Sequence, residues 1–398
     1  MQKVRWSRSS LALGLVLGIA GTLTIQRAIP EADAGKNKKG PLEREEFHQT
    51  LDVVLDRYVE PVDAPQVMAR GLKHMVSGLD PYSHYLTADE RAKARKLQQQ
   101  GAEAGLMTTL HRDAQRAELE IVGVHPGSPA DKLGLGTGDR ILEIRGQPCA
   151  HMLSNVEAQL LLGGAPGERI ELVLERGKGP ERVEVELAKP DVDALVSTKL
   201  LEVSGHAIGQ LEIHAFRTGT GELVKRELAE LRRSAGERGL AGLIVDLRGN
   251  PGGEVAEAVL VADLFVEEGV LTRTRGRGGV ILREELATAA GTDVETPLIV
   301  LQDRRSASAA ELLAVALQDN DRAKVIGERS FGKGTVQEVI GIPDGSVLTL
   351  TVARYFSPSD RLIDGRGVEP DVLLKNATGE AALDAAAREL VEQIADNR

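Results

Sequence analysis

The sequence predicts a multidomain protein of mixed α+β and α/β class. Apolar residues recur at helical spacing near the N-terminus, and short alternating strands with glycine-containing turns follow. From about residue 191, strands alternate with amphipathic helices. We therefore expect an N-terminal helical region, a β-rich domain, a layered α/β core and a C-terminal helix. The expected segments are residues 1–34, 35–100, 101–188, 189–375 and 376–398.

The composition allows a large apolar core and excludes some classes of partner. Hydrophobic residues make up 42% of the 398 residues and aromatic residues only 3%, so aliphatic side chains must fill the core. The net charge of −11 argues against a general nucleic-acid binder, which usually carries a basic surface. The single cysteine, Cys149, excludes an intramolecular disulfide, and no Cys or His cluster has metal-ligand spacing.

Residues 1–34 have the features of a signal peptide or signal anchor. Three basic residues precede an apolar run from Leu11 to Ile25, and Ala32-Asp33-Ala34 has the form of a cleavage site. The run is short for a complete membrane span. Either reading exports residues 35–398.

Residues 35–100 are expected to form a linker and then a helical region. Helical spacing is shown by Phe47, Leu51, Val54, Leu55 and Tyr58. Pro61 ends this first helix, and a second runs from about Ala64 to Ser77. Asp80-Pro81 makes a turn before a charged helix of about Ala88 to Gln100.

Residues 101–188 have the pattern of a small β-rich domain. Glu118 to Val122 alternates like a strand, and Gly134-Leu135 and Gly138-Asp139 precede the next strand. A helix and two more strands complete an order that resembles a PDZ domain. Such a domain binds a peptide C-terminus at a sheet edge and holds the carboxylate in a backbone nest. The resemblance makes Gly105-Leu106-Met107 the carboxylate loop; the alternative is a β-rich domain without a peptide role.

The α/β core contains a serine where a strand gives way to a helix. Ser308-Ala309-Ala310-Glu311 matches a capping box, and on this segment alone a helix cap is the commoner role of the serine. As a nucleophile, Ser308 would need an adjacent base, because serine hydroxyls are poor nucleophiles at neutral pH. The backbone N–H groups of Ala309, Gly252 and Gly253 are the candidate donors to an oxyanion.

Lys333, which lies between two glycines, is the candidate base. A lysine accepts a proton only if burial lowers its pKa, and at a glycine turn it is usually a solvated surface residue. Here the turn joins two apolar stretches, and Gln337 lies four residues further on, where it can orient the amine. All eight histidines lie at or before His214, which favours lysine over histidine as the base.

A phosphate-binding loop is the competing interpretation of this segment. Gly327 to Lys333 satisfies the pattern G-x-x-x-x-G-K. The next residue is Gly334 instead of Ser or Thr, and Thr335 to Ile342 is typical of a strand, whereas a phosphate loop opens a helix. We therefore expect no nucleotide site.

Together these motifs resemble the carboxyl-terminal processing proteases, which are serine proteases of family S41. The matching motifs are Tyr58-Val59-Glu60, Leu79-Asp80-Pro81, Asp246-Leu247-Arg248, Asn250-Pro251-Gly252-Gly253, Ser306-Ala307-Ser308-Ala309, Leu317-Gln318-Asp319, Gly327-Glu328, Phe331-Gly332-Lys333-Gly334-Thr335-Val336-Gln337 and Gly365-Arg366-Gly367-Val368-Glu369-Pro370-Asp371. By this resemblance, Ser308 is the nucleophile, Lys333 the general base and Gln337 its orienter. The resemblance covers about residues 45–375.

The resemblance also implies a location and partners. Members are exported to the periplasm or another extracytoplasmic space, where this chain would stay tethered to the inner membrane if its N-terminal segment is uncleaved. The substrates implied are proteins with apolar C-termini, bound through the PDZ domain. Several relatives form dimers through terminal helices, and some use a lipoprotein adaptor. Neither a metal nor a cofactor is implied, nor is a nucleic acid.

Three positions depart from the family pattern. Ala310 stands where a serine is common, Met107 changes the carboxylate loop, and Gly163 replaces an arginine after the PDZ helix. Changes at the last two positions are the support for an alternative, a catalytically silent PDZ scaffold that binds peptides while Lys333 stays protonated or misplaced.

Overall fold

The computed structural model describes most of the chain after the N-terminal segment. The described residues are 41–99, 104–113, 118–125, 127–136, 138–152, 155–176, 179–189, 195–289, 292–375 and 379–396. The predicted signal segment and the linker up to residue 40 lie outside them. Within the described ranges, no helix combines the length and the apolar character that a membrane crossing requires.

The N-terminal region is helical and adds one strand to the core. Its elements are α1 (Pro41–Arg57), α2 (Ala64–Ser77), β1 (His84–Leu86) and α3 (Ala88–Gln99). The predicted helix from Ala64 to Ser77 is confirmed. Pro65 lies in its first turn, where a residue without a backbone N–H does not cost the helix a hydrogen bond. The sequence did not predict β1, because three residues are too few to show a strand period.

The next part of the chain is an antiparallel sheet with two helices packed on it. Its elements are β2 (Ala104–Gly105), β3 (Thr108–Asp113), β4 (Glu118–Val124), α4 (Pro129–Lys132), β5 (Arg140–Ile144), β6 (Gln147–Pro148), α5 (Asn155–Leu162), β7 (Gly163–Gly164), β8 (Arg169–Arg176) and β9 (Gly179–Glu186). The sheet order is β3-β4-β5-β8-β9, with β6 paired to β5, whereas β2 and β7 form a separate two-stranded sheet. Alternate residues of β4, including Leu119 and Ile121, are buried, as its sequence pattern predicted.

The remaining described residues build two more sheets and four helices of eight or more residues. Their elements are β10 (Val196–Val203), β11 (His206–Ile213), α6 (Thr220–Ser234), β12 (Gly242–Asp246), α7 (Val255–Asp263), β13 (Val270–Gly276), β14 (Ile281–Leu286), β15 (Leu298–Gln302), α8 (Ala309–Asp319), β16 (Lys324–Gly327), β17 (Thr335–Gly341), β18 (Val347–Phe356), β19 (Val372–Leu373) and α9 (Gly379–Asp396). One sheet has the order β10-β11-β12-β15-β16-β19 and is parallel from β11 onward.

Helices cover both faces of this parallel sheet. In β12, Leu243 and Val245 pack with the apolar cluster of α6, α7 and α8, whereas Ile244 packs on the opposite face with α9. A strand buried on both faces has no polar alternation, so its sequence is an unbroken apolar run. Leu383 and Leu390 lie in the α9 contact, so the apolar side of this helix is used within the chain.

The second of these sheets is antiparallel and was not predicted from the sequence. Its order is β1-β18-β13-β14, and β17 also pairs with β18. The connection from β16 to β17 leaves the carboxyl end of the parallel sheet, carries Lys333, and enters the antiparallel sheet, where β17 carries Gln337. The strand β18 therefore lies between the N-terminal β1 and the segment that holds the candidate base.

Candidate active site

Ser308 lies between β15 and α8, at the carboxyl edge of the parallel sheet. The preceding loop is tied to the turn after β12. Asp303 Oδ1 accepts the N–H of Gly249 at 3.0 Å, and Ser306 Oγ donates to the carbonyl of Leu247 at 2.8 Å. Ser308 has φ +56° and ψ −115°, a conformation that costs a non-glycine residue free energy and persists only when its surroundings impose it.

Gly252 packs directly against Ser308. A Cβ atom at this position would lie 2.7 Å from Ser308 Cβ and 2.6 Å from the carbonyl oxygen of Ala307. Its φ of +92° also lies in the region that favours glycine. The turn after β12 therefore meets the serine loop at a contact that only glycine permits.

One buried carboxylate, that of Glu311 on α8, joins the serine loop to the lysine loop. Its Oε2 accepts the N–H of Ser308 at 2.7 Å and that of Lys333 at 2.8 Å. Its Oε1 accepts Ser330 Oγ at 2.5 Å and the N–H of Gly332 at 2.6 Å. Burial raises the pKa of Glu311 above its ordinary value, and these hydrogen bonds oppose the rise. Because a single oxygen binds both N–H groups, the backbones of Ser308 and Lys333 lie side by side.

The side chain of Lys333 is half-buried beside an aromatic ring. Its Nζ lies 4.9 Å from the ring centroid of Tyr82 and makes no hydrogen bond within the part of the chain that the structure describes. Burial lowers the pKa of Lys333 to about 8, although the charge of Glu311 opposes this. A partly desolvated ammonium without hydrogen bonds is destabilised, so these surroundings increase the fraction of neutral amine, the form that has a lone pair.

Gln337 is buried on β17 and anchored by threonines. Its Nε2 donates to Thr335 Oγ1 at 2.8 Å and to Thr351 Oγ1 at 3.2 Å. The amide nitrogen is therefore engaged, and Oε1 is the end that can accept a hydrogen bond. No hydrogen bond joins Gln337 to Lys333 in the described structure.

The three N–H groups predicted to bind an oxyanion differ in their surroundings. The N–H of Gly252 donates to Asn250 Oδ1 at 2.8 Å, so it is not presented to a ligand in this conformation. The N–H groups of Gly253 and Ala309 have no acceptor among the residues described. Gly253 lies against Phe216 so closely that a Cβ would meet the carbonyl oxygen at 1.8 Å.

The predicted carboxylate loop lies between β2 and β3. The N–H of Gly105 donates to the carbonyl of Ala188 at 3.1 Å, and the carbonyl of Met107 accepts the N–H of His125 at 3.1 Å. Met107 has φ +56°, and Leu106 is buried. The N–H groups of Leu106 and Met107 have no acceptor within the described ranges, so they are the donors that a terminal carboxylate would use.

The β-rich domain contacts the active-site loops. The ring of His111, on β3, lies edge-on to the ring of Phe331, with centroids 6.0 Å apart. A Cβ on Gly123, in β4, would lie 3.4 Å from Cβ of Pro251. Phe331 immediately precedes Gly332, which is bound to Glu311. The β-rich domain therefore touches both the lysine loop and the turn that carries Gly252.

Sequence reasoning missed Tyr82 and treated Glu311 only as part of a helix cap. The capping box predicts the bond from the N–H of Ser308 to Glu311. The other donors come from residues 330–333, and no local pattern shows that this loop returns to α8. Tyr82 directly follows the predicted turn at Asp80-Pro81, which was the only available signal.

Comparisons with known proteins identify the family. The model of peptidase family S41 matches residues 207–374, and a PDZ domain model matches residues 120–176. The carboxy-terminal processing protease CtpA of Bacillus subtilis (strain 168) is 30% identical over 366 residues, which is 91% of this chain and 74% of the relative. The chain belongs to the carboxyl-terminal processing proteases. The carboxy-terminal-processing protease of Bartonella bacilliformis is 32% identical over 335 residues, covering 84% of this chain and 75% of the relative.

A solved structure agrees with this assignment. The photosystem II D1 C-terminal processing protease is similar with a TM-score of 0.69 and 28% identity, over 84% of this chain and 94% of that one. This processing protease is thus a serine-type peptidase of mixed helix and sheet, with a PDZ domain and an S41 core. Ser308, Lys333 and Gln337 lie inside the S41 match, whereas residues 105–107 precede the PDZ match.

Proposed function

We propose that this processing protease is an exported endopeptidase that uses Ser308 as nucleophile, Lys333 as general base and Gln337 as its orienter. The observation that carries the proposal is the shared Oε2 of Glu311, which binds the backbone N–H of both Ser308 and Lys333. This arrangement supports the proposal because the backbone of Ser308 lies beside that of Lys333, whose amine has a pKa of about 8. A nucleophile beside a partly neutral base is what serine catalysis without histidine requires.

Acylation follows from this geometry. The neutral amine of Lys333 takes the proton of Ser308 Oγ, and Oγ attacks the carbonyl carbon of the scissile peptide. The N–H groups of Gly253 and Ala309, aided by the N-terminus of α8, donate to the oxyanion. As the intermediate collapses, the ammonium of Lys333 gives its proton to the leaving amine. Gln337 Oε1 is the acceptor that holds the ammonium during this step.

Deacylation repeats the sequence with water. The amine of Lys333, neutral again, removes a proton from a water molecule that attacks the ester carbonyl on Ser308. The proton returns to Oγ when the acid product leaves, so the enzyme is regenerated. Apart from the substrate and this water molecule, the proposed steps use groups of this chain.

We assign substrate recognition to the PDZ domain. The N–H groups of Leu106 and Met107 would bind the terminal carboxylate of an unfolded tail, and apolar tail residues would pack beside the β3 strand. The names of the relatives, which refer to carboxyl-terminal processing, support substrates of this kind. Export to the periplasm or another extracytoplasmic space follows from the N-terminal signal features of the sequence.

Homo-oligomerisation through the terminal helices and a lipoprotein adaptor remain part of the proposal. Phe47 on α1 is 66% exposed, and Tyr58, which directly follows that helix, is 59% exposed, so an apolar surface is available at the N-terminal helix. The apolar side of α9 packs on its own sheet, which makes α1 the better candidate contact. The carboxyl-terminal helix would contribute through its polar side.

Cleavage by matched variants tests the proposal. The full chain is incubated with an unfolded protein that has an apolar C-terminus, beside Ser308→Ala and Lys333→Ala. We expect the parent to cleave and both variants to lose at least about a thousandfold in rate. Cleavage that survives both changes would refute the triad. An inactive parent that still binds the tail would instead identify a peptide-binding scaffold.

A further inference from the structure

We propose that Tyr82 is a positioning residue for the lysine base, and that the loop from Asp80 to Ser83 completes the active site from the N-terminal region. The inference rests on the proposed function, because it deepens the role given to Lys333. Tyr82 precedes both ranges matched by the family models, so neither the S41 nor the PDZ match includes it.

The loop that carries Tyr82 is held in one conformation by Asp80. Asp80 Oδ1 accepts the N–H groups of Tyr82 and Ser83, both at 2.8 Å. Its Oδ2 accepts Ser83 Oγ at 2.7 Å. A carboxylate with three donors from the next residues fixes a turn strongly, so the backbone from which the Tyr82 ring extends is held in place.

The same loop is bonded to the strand that supports Gln337. Ser83 Oγ accepts the N–H of Thr351 at 3.0 Å, and Thr351 Oγ1 accepts Gln337 Nε2 at 3.2 Å. Immediately afterwards, β1 pairs with β18. The N-terminal loop therefore contacts the lysine through Tyr82, and it is linked to the glutamine indirectly, through Ser83 and Thr351.

The ring suits the chemistry of a lysine base. A π face stabilises an ammonium electrostatically and also excludes water. A second carboxylate in the same place would keep the amine protonated at rest, whereas a ring adds moderate stabilisation as the proton arrives. The charge acting on Lys333 is that of Glu311. Burial, together with the charges of Asp364, Glu311 and Asp80, raises the pKa of the Tyr82 phenol, so the ring stays neutral.

Three substitutions at Tyr82 separate the ring's effects on the amine. Tyr82→Leu keeps an apolar contact but removes the π face, so we expect kcat/KM to fall roughly 3- to 30-fold. The ammonium is then less stable, and the acidic limb of the pH profile moves down by about half to one pH unit. Tyr82→Phe keeps the π face, so we expect it to have the parental kcat/KM and the parental pH profile. Tyr82→Ala admits water to the amine of Lys333. Water stabilises the ammonium, so we expect the acidic limb of the pH profile to move to higher pH. Because Tyr82→Phe keeps the ring and loses only the hydroxyl, it is the matched control for the leucine variant.

A second readout does not depend on cleavage. In a Ser308→Ala background, the full chain is labelled at Lys333 with an amine-acylating reagent across pH, and the labelled peptide is quantified by mass spectrometry. We expect the labelling midpoint to shift as the kinetic limb does, downward for Tyr82→Leu and not for Tyr82→Phe. If Ser308→Ala itself left cleavage intact, the proposed function would fail, while labelling would still decide the role of Tyr82.

Two results would overturn the inference. One is coincident labelling profiles for Tyr82→Leu and Tyr82→Phe. The other is an increase in kcat/KM for Tyr82→Leu, which would mean that the ring withholds the amine from the serine. Circular dichroism checks that each variant is folded, and Tyr82→Met, an apolar side chain without a π face, takes the place of a leucine variant that does not fold.

Discussion

Two ionisable side chains, the buried Glu311 and the half-buried Lys333, determine the chemistry of the active site at the scale of single residues. The carboxylate of Glu311 is hydrogen-bonded by four groups, whereas the amine of Lys333 meets an aromatic ring. The carboxylate therefore works as a structural acceptor that binds the two loops, whereas a part of the amine population is neutral and has a lone pair near pH 8. Burial acts on both groups, and the different partners determine the different outcomes.

The rate of peptide cleavage is expected to rise with pH through about 8. Lys333 acts as base only when neutral, and burial lowers its pKa to about 8. Below that value the neutral fraction falls about tenfold per pH unit, and above it the rate levels off. The measurement is kcat/KM from about pH 6 to 10 on a peptide without titrating groups. A midpoint near the ordinary lysine value of 10.5 would contradict a buried base.

Glu311→Gln is expected to lower both the melting temperature and the rate of cleavage, the latter by more than tenfold. A glutamine amide directs its own N–H groups at some of the four donors, and each buried donor left unpaired costs about 1–3 kcal/mol. The backbones of Ser308 and Lys333 then lose their common acceptor. Thermal unfolding and peptide cleavage measure the two effects.

The matched control for this change is Glu369→Gln. Glu369 forms an exposed ion pair with Arg329 at 3.5 Å, and such pairs contribute little to stability. We expect this variant to resemble the parent in both assays. Equal effects of the two substitutions would show that the Glu311 carboxylate has no special role.

At the scale of elements, the strands and helices support the active site, and the connections between them contain the residues that form it. Ser308, Gly252 and Lys333 all lie in segments that follow the carboxyl ends of parallel strands, where open α/β sheets place their ligand sites. The turn after β12 is stabilised by buried Asp246, whose carboxylate binds Arg248 and Gln210. The connections are consequently held by hydrogen bonds instead of by their own regular structure.

Gly252→Ala is expected to abolish most activity, because the new Cβ would lie 2.7 Å from Ser308 Cβ. The turn also has φ +92° at this residue, which alanine adopts only at a cost. The serine loop must move, and displacement by about 1 Å is enough to lose roughly a hundredfold in rate. Peptide cleavage and thermal unfolding are the measurements.

Gly136→Ala is the control for the glycine substitution. No atom lies within 4 Å of a Cβ built there, so the methyl group meets open space. We expect parental cleavage for this variant. A Gly252→Ala enzyme as active as Gly136→Ala would show that the close contact with Ser308 is dispensable.

At the scale of the whole molecule, the N-terminal helices connect the PDZ domain to the protease core. Lys73 Nζ, on α2, binds Glu90 on α3 at 2.5 Å and Glu157 on α5 at 2.9 Å. Burial disfavours the charged form of Lys73, whereas the carboxylates of Glu90 and Glu157 favour it. The net effect is that the pKa of Lys73 is raised. Because α5 belongs to the PDZ domain, the ion pair between Lys73 and Glu157 fixes that domain against the N-terminal region.

Acid is expected to destabilise the contact between the PDZ domain and the core through His125. Burial, together with the charges of Arg217 and His214, lowers the pKa of His125 from 6.5 to about 4. The unfolded chain takes up a proton below about 6.5, whereas the folded chain does so only near 4, so stability falls as pH drops through this window. Melting temperatures at about pH 7 and pH 5 should differ less in His125→Gln than in the parent.

His48→Gln, on the exposed surface of α1, controls for the loss of a histidine and should keep the parental pH dependence. His84 is also buried with a lowered pKa and contributes equally to all three proteins. A His125→Gln variant with the same acid sensitivity as the parent would show that His125 is solvated in the folded chain.

Local patterns predicted much of the fold. The helix Ala64–Ser77, the buried strand β12 and the alternating strand β4 appear where the sequence indicated them, because their periods are set within a few residues. The antiparallel sheet was missed, since β1 and β18 are far apart in sequence. Tyr82 was missed for the same reason: its contact with Lys333 joins two regions that share no local pattern.

By itself, the sequence determined the residue types that chemistry requires and the elements that carry them: a serine at a helix start, a lysine between glycines, and the family motifs around both. Only the tertiary structure decided which groups meet. It showed that one oxygen of Glu311 binds both loops, that the N–H of Gly252 is engaged by Asn250, and that an aromatic ring from the N-terminal region covers the lysine. Periodicity and capping are local properties, whereas burial and pKa depend on neighbours that the chain brings together from distant segments.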